Sequence, residues 1–246
     1  MRVVYTNDVE SATITATTGK PEFPADNLKR RSTEKVWRSE IVESQRVVFD
    51  FGAAHTANCF LMANHNLEGG TIRVEANSSD DWGSPAFSQT ITSRDPIIAV
   101  WFPSAQSYRY WSVFLDEAGN SDGYLQMARP AIAEYLQLPS FEPGPGLRKL
   151  SQSQRGITPG GVVYSNLEHV RRQAGVRIPV ISPAEKTEIE TMFDTVGNAL
   201  PVYAVLWEDS LDYYEPLHAV IDDEELGFDR DDEGNYSTEI TLREVR

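Results

Sequence analysis

Only one cysteine, Cys59, occurs in the 246-residue chain, so no internal disulfide can brace the fold. It sits in an apolar, strand-like run. No His with Asn or Asp accompanies it in a motif that would activate a thiol, so it reads as buried and inert. No apolar stretch is long enough to cross a bilayer, which removes a membrane segment from the expectations. The start, Met1-Arg-Val-Val-Tyr-Thr-Asn-Asp8, lacks the apolar run of a secretory signal, so synthesis in a cytosol without an export address is expected. Cations are scarce as well. Against 37 Asp and Glu there are 22 Lys and Arg, giving a formal charge of −15 and a pI near 4.7. Affinity for nucleic acid comes largely from Lys and Arg neutralising phosphates, so this polyanion is a poor candidate for sequence-specific nucleic-acid binding.

Chemistry-bearing motifs are missing too. The four histidines, His55, His65, His169 and His218, show no i, i+4 or CxxC companion spacing that would make a metal site. His65, between Asn64 and Asn66 at a strand end, reads as a hydrogen-bonded turn. There is no Gly-x-Ser-x-Gly elbow, no P-loop and no carboxylate pair in a glycosidase setting. Asp50-Phe51-Gly52 matches a kinase tripeptide, but no other kinase motif is present. A non-enzymatic protein without cofactor or assigned metal is the expectation.

What the chain does have is the composition of a globular protein, with 40% hydrophobic and 10% aromatic residues and length enough for two ordinary domains. The acidic excess is local. Residues 222–233 hold eight carboxylates against Arg230 alone, almost half of the net charge. Asp229, Asp231, Asp232 and Glu233, followed by Gly234, are calcium-like ingredients that do not meet the EF-hand order; the bland reading is a solvated loop or a contact for a basic neighbour.

The chain divides near residue 140, where Pro139-Ser-Phe-Glu-Pro-Gly-Pro-Gly146 concentrates residues that do not build ladders. The expected organisation is a domain over 1–140, a Pro/Gly-rich linker over 141–161 and a second domain over 162–246. Before the boundary, short alternating runs separated by turn clusters predict an all-β sandwich. Residues 47–52, 58–67, 71–77, 108–115 and 124–136 read as its strands. In 108–115, Tyr108, Tyr110, Ser112 and Phe114 share one face, while Arg109, Trp111, Val113 and Leu115 share the other. Both faces are bulky, so cover on each side is expected.

After the boundary, 162–164, 176–181, 200–207, 216–221 and 236–245 read as strands. Ser182-Pro183-Ala-Glu185 is a helix start with N-cap Ser, Pro at the first position and a capping-box Glu. Ile189, Met192, Phe193 and Val196 then make one apolar face, and Gly197-Asn198 stops it. A helix over 183–196 within a β-rich domain follows.

Trp37-Arg38-Ser39, followed by Val47-Val-Phe-Asp-Phe-Gly52, resembles the start of discoidin-like (galactose-binding-like) jelly rolls, and the likeness extends over roughly residues 10–138. It implies a fold that displays loops for binding, with Trp37 anchoring the core and Arg38 as its structural partner. The second half is similar, in its order of elements, to the tail-tube-related domains of bacteriophage distal tail and minor tail proteins. The shared points are an Arg-containing strand, the Ser-Pro-Ala-Glu helix, the Gly-Asn break and the closing Thr241-Leu-Arg-Glu-Val245. The approach Phe23-Pro-Ala-Asp-Asn-Leu28 is shared with jelly rolls carried by phages. This chain differs from the simplest distal tail proteins in placing the jelly roll first.

Together these resemblances imply a structural virion protein at a phage tail tip or baseplate, assembled in the host cytoplasm. Its partners would be the tube, the tip or hub and the tape measure, in a homo-oligomeric ring of six expected copies, or three close to the tip. Strands 200–207 and 236–245 are then the expected subunit edges, through Val202, Tyr203, Val205, Trp207, Ile240 and Leu242. The acidic residues Asp222, Asp223, Glu224, Glu225, Asp231, Asp232 and Glu233 would meet a basic patch on a neighbour or face an aqueous lumen. Asp80, Asp81 and Trp82 lie in a loop-like run, Ser78–Pro85, and suit a sugar ring, a protein interface, or packing back onto their own domain. The alternative function is a carbohydrate-binding module that recognises host surface glycans, within a virion or free. A cytosolic adaptor is the third option.

Overall fold

The computed structural model describes residues 1–92, 96–142, 146–157, 159, 161, 163–206 and 216–245, with backbone alone at 152–156 and 163–169. In order, the elements are β1 (Arg2–Val4), β2 (Thr13–Ala16), β3 (Val36–Arg38), β4 (Gln45–Ala63), β5 (Thr71–Asn77), β6 (Phe87–Ile91), β7 (Ile97–Asp116) and β8 (Gln126–Ala133). There follow β9 (Leu136–Gln137), β10 (Gly146–Ile157), β11 (Val163–Ile181), α1 (Pro183–Val196), β12 (Val202–Val205), β13 (Leu217–Ile221), β14 (Asp229–Arg230) and β15 (Tyr236–Glu244). The protein is mainly β, as the alternation predicts, and α1 spans the predicted residues.

The chain forms two units. The first comprises Arg2–Leu136 together with Tyr203–His218; the second comprises Gln137–Val202 and Ala219–Val245, with Met1. Residues 203–206 and 216–218 thus belong to the first unit although they lie well beyond the 140 boundary.

In the first unit the strands run β3-β8-β4-β7-β5-β6, with β2 beside β4. Two long strands make this a jelly-roll sandwich. The first part of β4, Gln45–Asp50, pairs with Tyr110–Leu115 of β7, and its last part pairs with Ile97–Trp101 and with β8. The register shifts between Asp50 and His55, where Gly52 adopts φ +76°. That bulge lets each strand turn from one layer into the other. Trp37, Phe49, Phe60, Trp111, Val113 and Leu115 are fully buried between the layers. Trp37 is core, as its resemblance implies, and its indole N–H donates to the Thr18 carbonyl at 3.0 Å. On the other face of β7, Ser112 is buried while Tyr110 and Phe114 are half-buried, so both faces are covered in part.

In the second unit, β10, β11 and β15 are antiparallel neighbours, and Ala219–Ile221 pairs with the far side of β15. Residues 146–157, read from sequence as linker, form β10. Their alternation is weak, but β11 supplies a long partner that completes the ladder. The α1 capping box is made on both sides: Glu185 N–H donates to Ser182 Oγ at 3.3 Å, and Ser182 N–H to Glu185 Oε2 at 2.8 Å. Ile189, Met192 and Val196 are buried, which accounts for the period of the helix.

Candidate functional site

The Ser78–Pro85 loop joins β5 to β6. Asp80 and Asp81 are exposed and Trp82 is half-buried. The indole N–H of Trp82 donates to Asp80 Oδ1 at 2.7 Å, and Asp81 Oδ1 accepts the Gly83 N–H at 3.0 Å. The Arg46 guanidinium lies 4.8 Å from the Trp82 ring centroid. Arg46 also lies over Phe114 and pairs with Glu75, which Arg73 meets from the other side at 3.0 Å. Trp82 is therefore tied to its own sheet through Arg46. Of the three uses its sequence suggests, this geometry realises the contact with its own domain.

The strands read as subunit edges are not edges. Tyr203 and Val205 are 3% and 1% exposed and pack with Val4, Cys59, Leu61 and Ala131, while β12 pairs with β1. Val202, Ile240 and Leu242 are also buried. β15 is flanked by β11 on one side and by Ala219–Ile221 on the other, so its ladder is used on both sides at Leu242 and Arg243. Apolar alternation marks a strand that buries a face, and that property belongs to interior strands at least as much as to edges. Trp207 lies outside the described residues.

The acidic segment is partly internal. Asp222 accepts from Gln173 at 3.1 Å and pairs with Arg243 at 3.0 Å, and Asp223 accepts the Thr241 N–H at 2.6 Å. Asp231 closes a turn by accepting the N–H groups of Glu233 and Asn235. Those hydrogen bonds outweigh the effect of desolvation and hold its carboxyl below the ordinary 3.8. Glu224, Glu225, Asp232 and Glu233 are exposed. Among the described residues, no group of three or more His, Cys, Asp or Glu side chains is placed to hold a metal ion.

A different cluster gathers at the end of the first unit where the loops after β2, β4 and β7 meet. Arg38 N–H donates to the Phe23 carbonyl and Lys20 N–H to the Arg38 carbonyl, which sets the 20–23 turn against β3. The Arg38 guanidinium lies 4.0 Å from the Phe23 ring centroid and 4.6 Å from that of Tyr124. Lys20 Nζ lies 4.4 Å from the Tyr124 centroid. Arg38 Nε donates to Gln126 Oε1 at 2.8 Å, so the fork is held by two rings and one hydrogen bond. Asn66 ties the loops together by donating to Asp122 Oδ2 and to the Tyr124 carbonyl, both at 2.9 Å.

Within the described residues, the Arg38 Nη groups, the Tyr124 hydroxyl and Asp122 Oδ1 have no hydrogen-bond partner. The cluster thus presents fixed donors and a fixed acceptor beside a half-buried Phe23. No local motif reveals it, because its residues come from four separated segments. The available signal is Arg38 next to core Trp37, since alternation must turn Arg38 away from the core.

No protein-family model and no curated protein matches the chain. Solved structures similar to it include the family 32 carbohydrate-binding module of Clostridium perfringens NanJ in complex with galactose. That match is 14% identical, with a TM-score of 0.44, over 55% of this chain and 100% of that one. The lectin domain of lectinolysin, complexed with Lewis B antigen, is 15% identical with a TM-score of 0.44, over 52% and 96% of the two chains. Chitosan-binding module 1 from a Paenibacillus sp. IK-5 chitosanase/glucanase is 22% identical with a TM-score of 0.41, over 52% and 98%.

Proposed function

We propose that the first unit is a glycan-binding module and that the Arg38 cluster is its binding site. The observation that carries this reading is the fixed guanidinium of Arg38, held over Phe23 and Tyr124 with its Nη donors unused. Sugar hydroxyls both donate and accept, and a site for them needs donors and acceptors set in advance beside an apolar surface. Arg38 and Lys20 supply the donors, Asp122 the acceptor, and Phe23 the apolar contact. The loops carry these groups while the sandwich holds them in place. No bond is made or broken in this role, so the protein acts by binding and not as an enzyme.

The test is retention of the full-length chain on a glycan array and in polysaccharide-containing native gels. Arg38→Ala and Asp122→Ala should each weaken binding at least about tenfold, equivalent to about 1.4 kcal/mol. Trp82→Ala should bind like the parent. Absence of retention on any glycan, or equal retention by Arg38→Ala, defeats the reading.

A second reading, a phage-tail subunit whose copies close into a ring, is favoured by β10. Among the described residues this 12-residue strand ends its sheet and pairs with β11 alone, leaving a ladder for strand addition between copies. Sedimentation of the full chain tests it together with immunogold labelling of tailed particles. A monomer at every concentration, with no particle labelled, removes this reading and leaves the first untouched.

A further inference from the structure

The outward face of the second unit carries a trough whose floor has almost no side chains. In β11, Ala174 and Val176 are fully buried, so Gln173, Gly175 and Arg177 point to the opposite face. In β15, Ile240 and Leu242 are buried, which turns Glu239 and Thr241 outward in the same way. The register then aligns three rows. Gly146 faces Gly175, which faces Thr241; Arg148 faces Gln173, which faces Arg243; and Arg177 faces Glu239. The glycine row is the floor, and the flanking rows are its walls. The resulting cavity of about 390 Å³ is lined by Gly146, Arg148, Gln173, Gly175, Glu239 and Thr241. That volume lies within the range of about 300–1,000 Å³ usual for small-ligand sites.

A glycine in a strand leaves the backbone open to close approach. Neither floor glycine has a left-handed φ, so local conformation does not explain the pair. Glu239 Oε1 reaches over Gly175, 3.7 Å from where a Cβ would stand, and Arg148 Nε lies 4.0 Å from the corresponding point at Gly146. These opposite charges line one cavity without forming an ion pair, and neither side chain has a hydrogen-bond partner among the described residues. Gln173 uses its amide N–H on Asp222, which leaves its oxygen as an acceptor.

We infer that this trough binds a short neutral oligosaccharide lying flat across the glycine row. Mixed donors and acceptors of balanced charge disfavour an anion, and among the described residues no aromatic or large aliphatic side chain lines the cavity to hold an apolar ligand. The three strands span about 10 Å, longer than a single amino acid. The C–H face of a sugar ring can rest on the bare backbone while its hydroxyls reach Arg148, Gln173, Glu239 and Thr241. This site is separate from the Arg38 cluster and does not depend on that reading.

The test is a titration of the ¹⁵N-labelled full chain with cellotetraose, xylotetraose, mannotetraose and, separately, glycine betaine, following the Gly146, Gly175 and Thr241 amides. One of the sugars should give saturable shifts at these amides with a Kd of about 1 mM, the regime of weak sites. Gly175→Leu should weaken this at least about tenfold. Its Cβ meets only the flexible end of Glu239, so the variant keeps the fold, which its spectrum reports. Glu239→Gln should weaken it too, while Arg38→Ala leaves it unchanged. No shift at these amides with any sugar, undiminished shifts in Gly175→Leu, or saturation by betaine alone overturns the inference.

Discussion

Gly70 lies so close to Glu117 that a Cβ added to it would stand 2.4 Å from the Glu117 Cβ and 2.3 Å from the Asp116 carbonyl oxygen. The glycine therefore lets the β4–β5 loop lie against the end of β7. From that position Glu117 Oε1 accepts the N–H groups of Glu68, Gly69 and Gly70, at 3.0, 2.6 and 3.2 Å.

Gly70→Ala should cost about 1–3 kcal/mol, the usual penalty for forcing a group into packed space. Gly119→Ala, where nothing lies within 4 Å of the new Cβ, should stay within about 0.5 kcal/mol of the parent. Urea unfolding of the two variants compares them directly. Equal midpoints would refute the packing argument.

Stability should fall in acid as Glu117 titrates. Burial alone would raise its pKa. The hydrogen bonds from Gly69, Asn120, Glu68 and Gly70 outweigh that effect and hold the carboxyl below its ordinary 4.5. A depressed folded-state pKa gives stabilisation that is complete above 4.5 and is lost as pH falls through the folded value. Asp50 adds to the same trend, since hydrogen bonds from Arg109 hold it below 3.8. Thermal unfolding across the acid range should show the decline, and Glu117→Gln should flatten part of it.

Arg46→Ala should destabilise the first unit by about 3 kcal/mol, because Glu75, only 3% exposed, would lose one of its two cations inside the protein. Arg73 remains in contact, which keeps the loss at the low end for a broken buried pair. The same variant removes the cation over Trp82, so tryptophan emission should shift at native pH. An unchanged unfolding midpoint would rule out this account of Glu75.

Cys59 should be silent towards thiol reagents in the native state. Burial pushes its thiol up to about 12, and the Sγ–H donates to the Ala133 carbonyl at 3.1 Å. Reaction with an aromatic disulfide at mildly alkaline pH should wait for denaturant. Prompt native-state labelling would contradict the buried placement.

The strongest signals in the sequence were those in which one residue type has one physical use. Ser182, Pro183 and Glu185 fix the start of α1, and Trp37 with the 47–52 alternation fixes the opening of the sandwich. Relations between distant segments were not legible. The pairing of β1 with β12 depends on residues from opposite ends of the chain, and nothing local in Val202–Val205 distinguishes an interior strand from an edge. The Arg38 cluster was hidden for the same reason, because Phe23 and Tyr124 are isolated aromatics in polar turns until the fold brings them to one guanidinium. β10 was obscured by its prolines and glycines upstream, whose turn signal masked a strand that needs β11 to form.

The recruitment of β12 bears on how the protein is made. β1 leaves the ribosome long before Tyr203 and Val205, which complete the core around Val4, Cys59 and Leu61. The first unit cannot close during its own translation, and most of the second must emerge before it does. A chain halted near residue 140 would keep its apolar Val4–Leu61 surface uncovered, a substrate for chaperones and not a free-standing module.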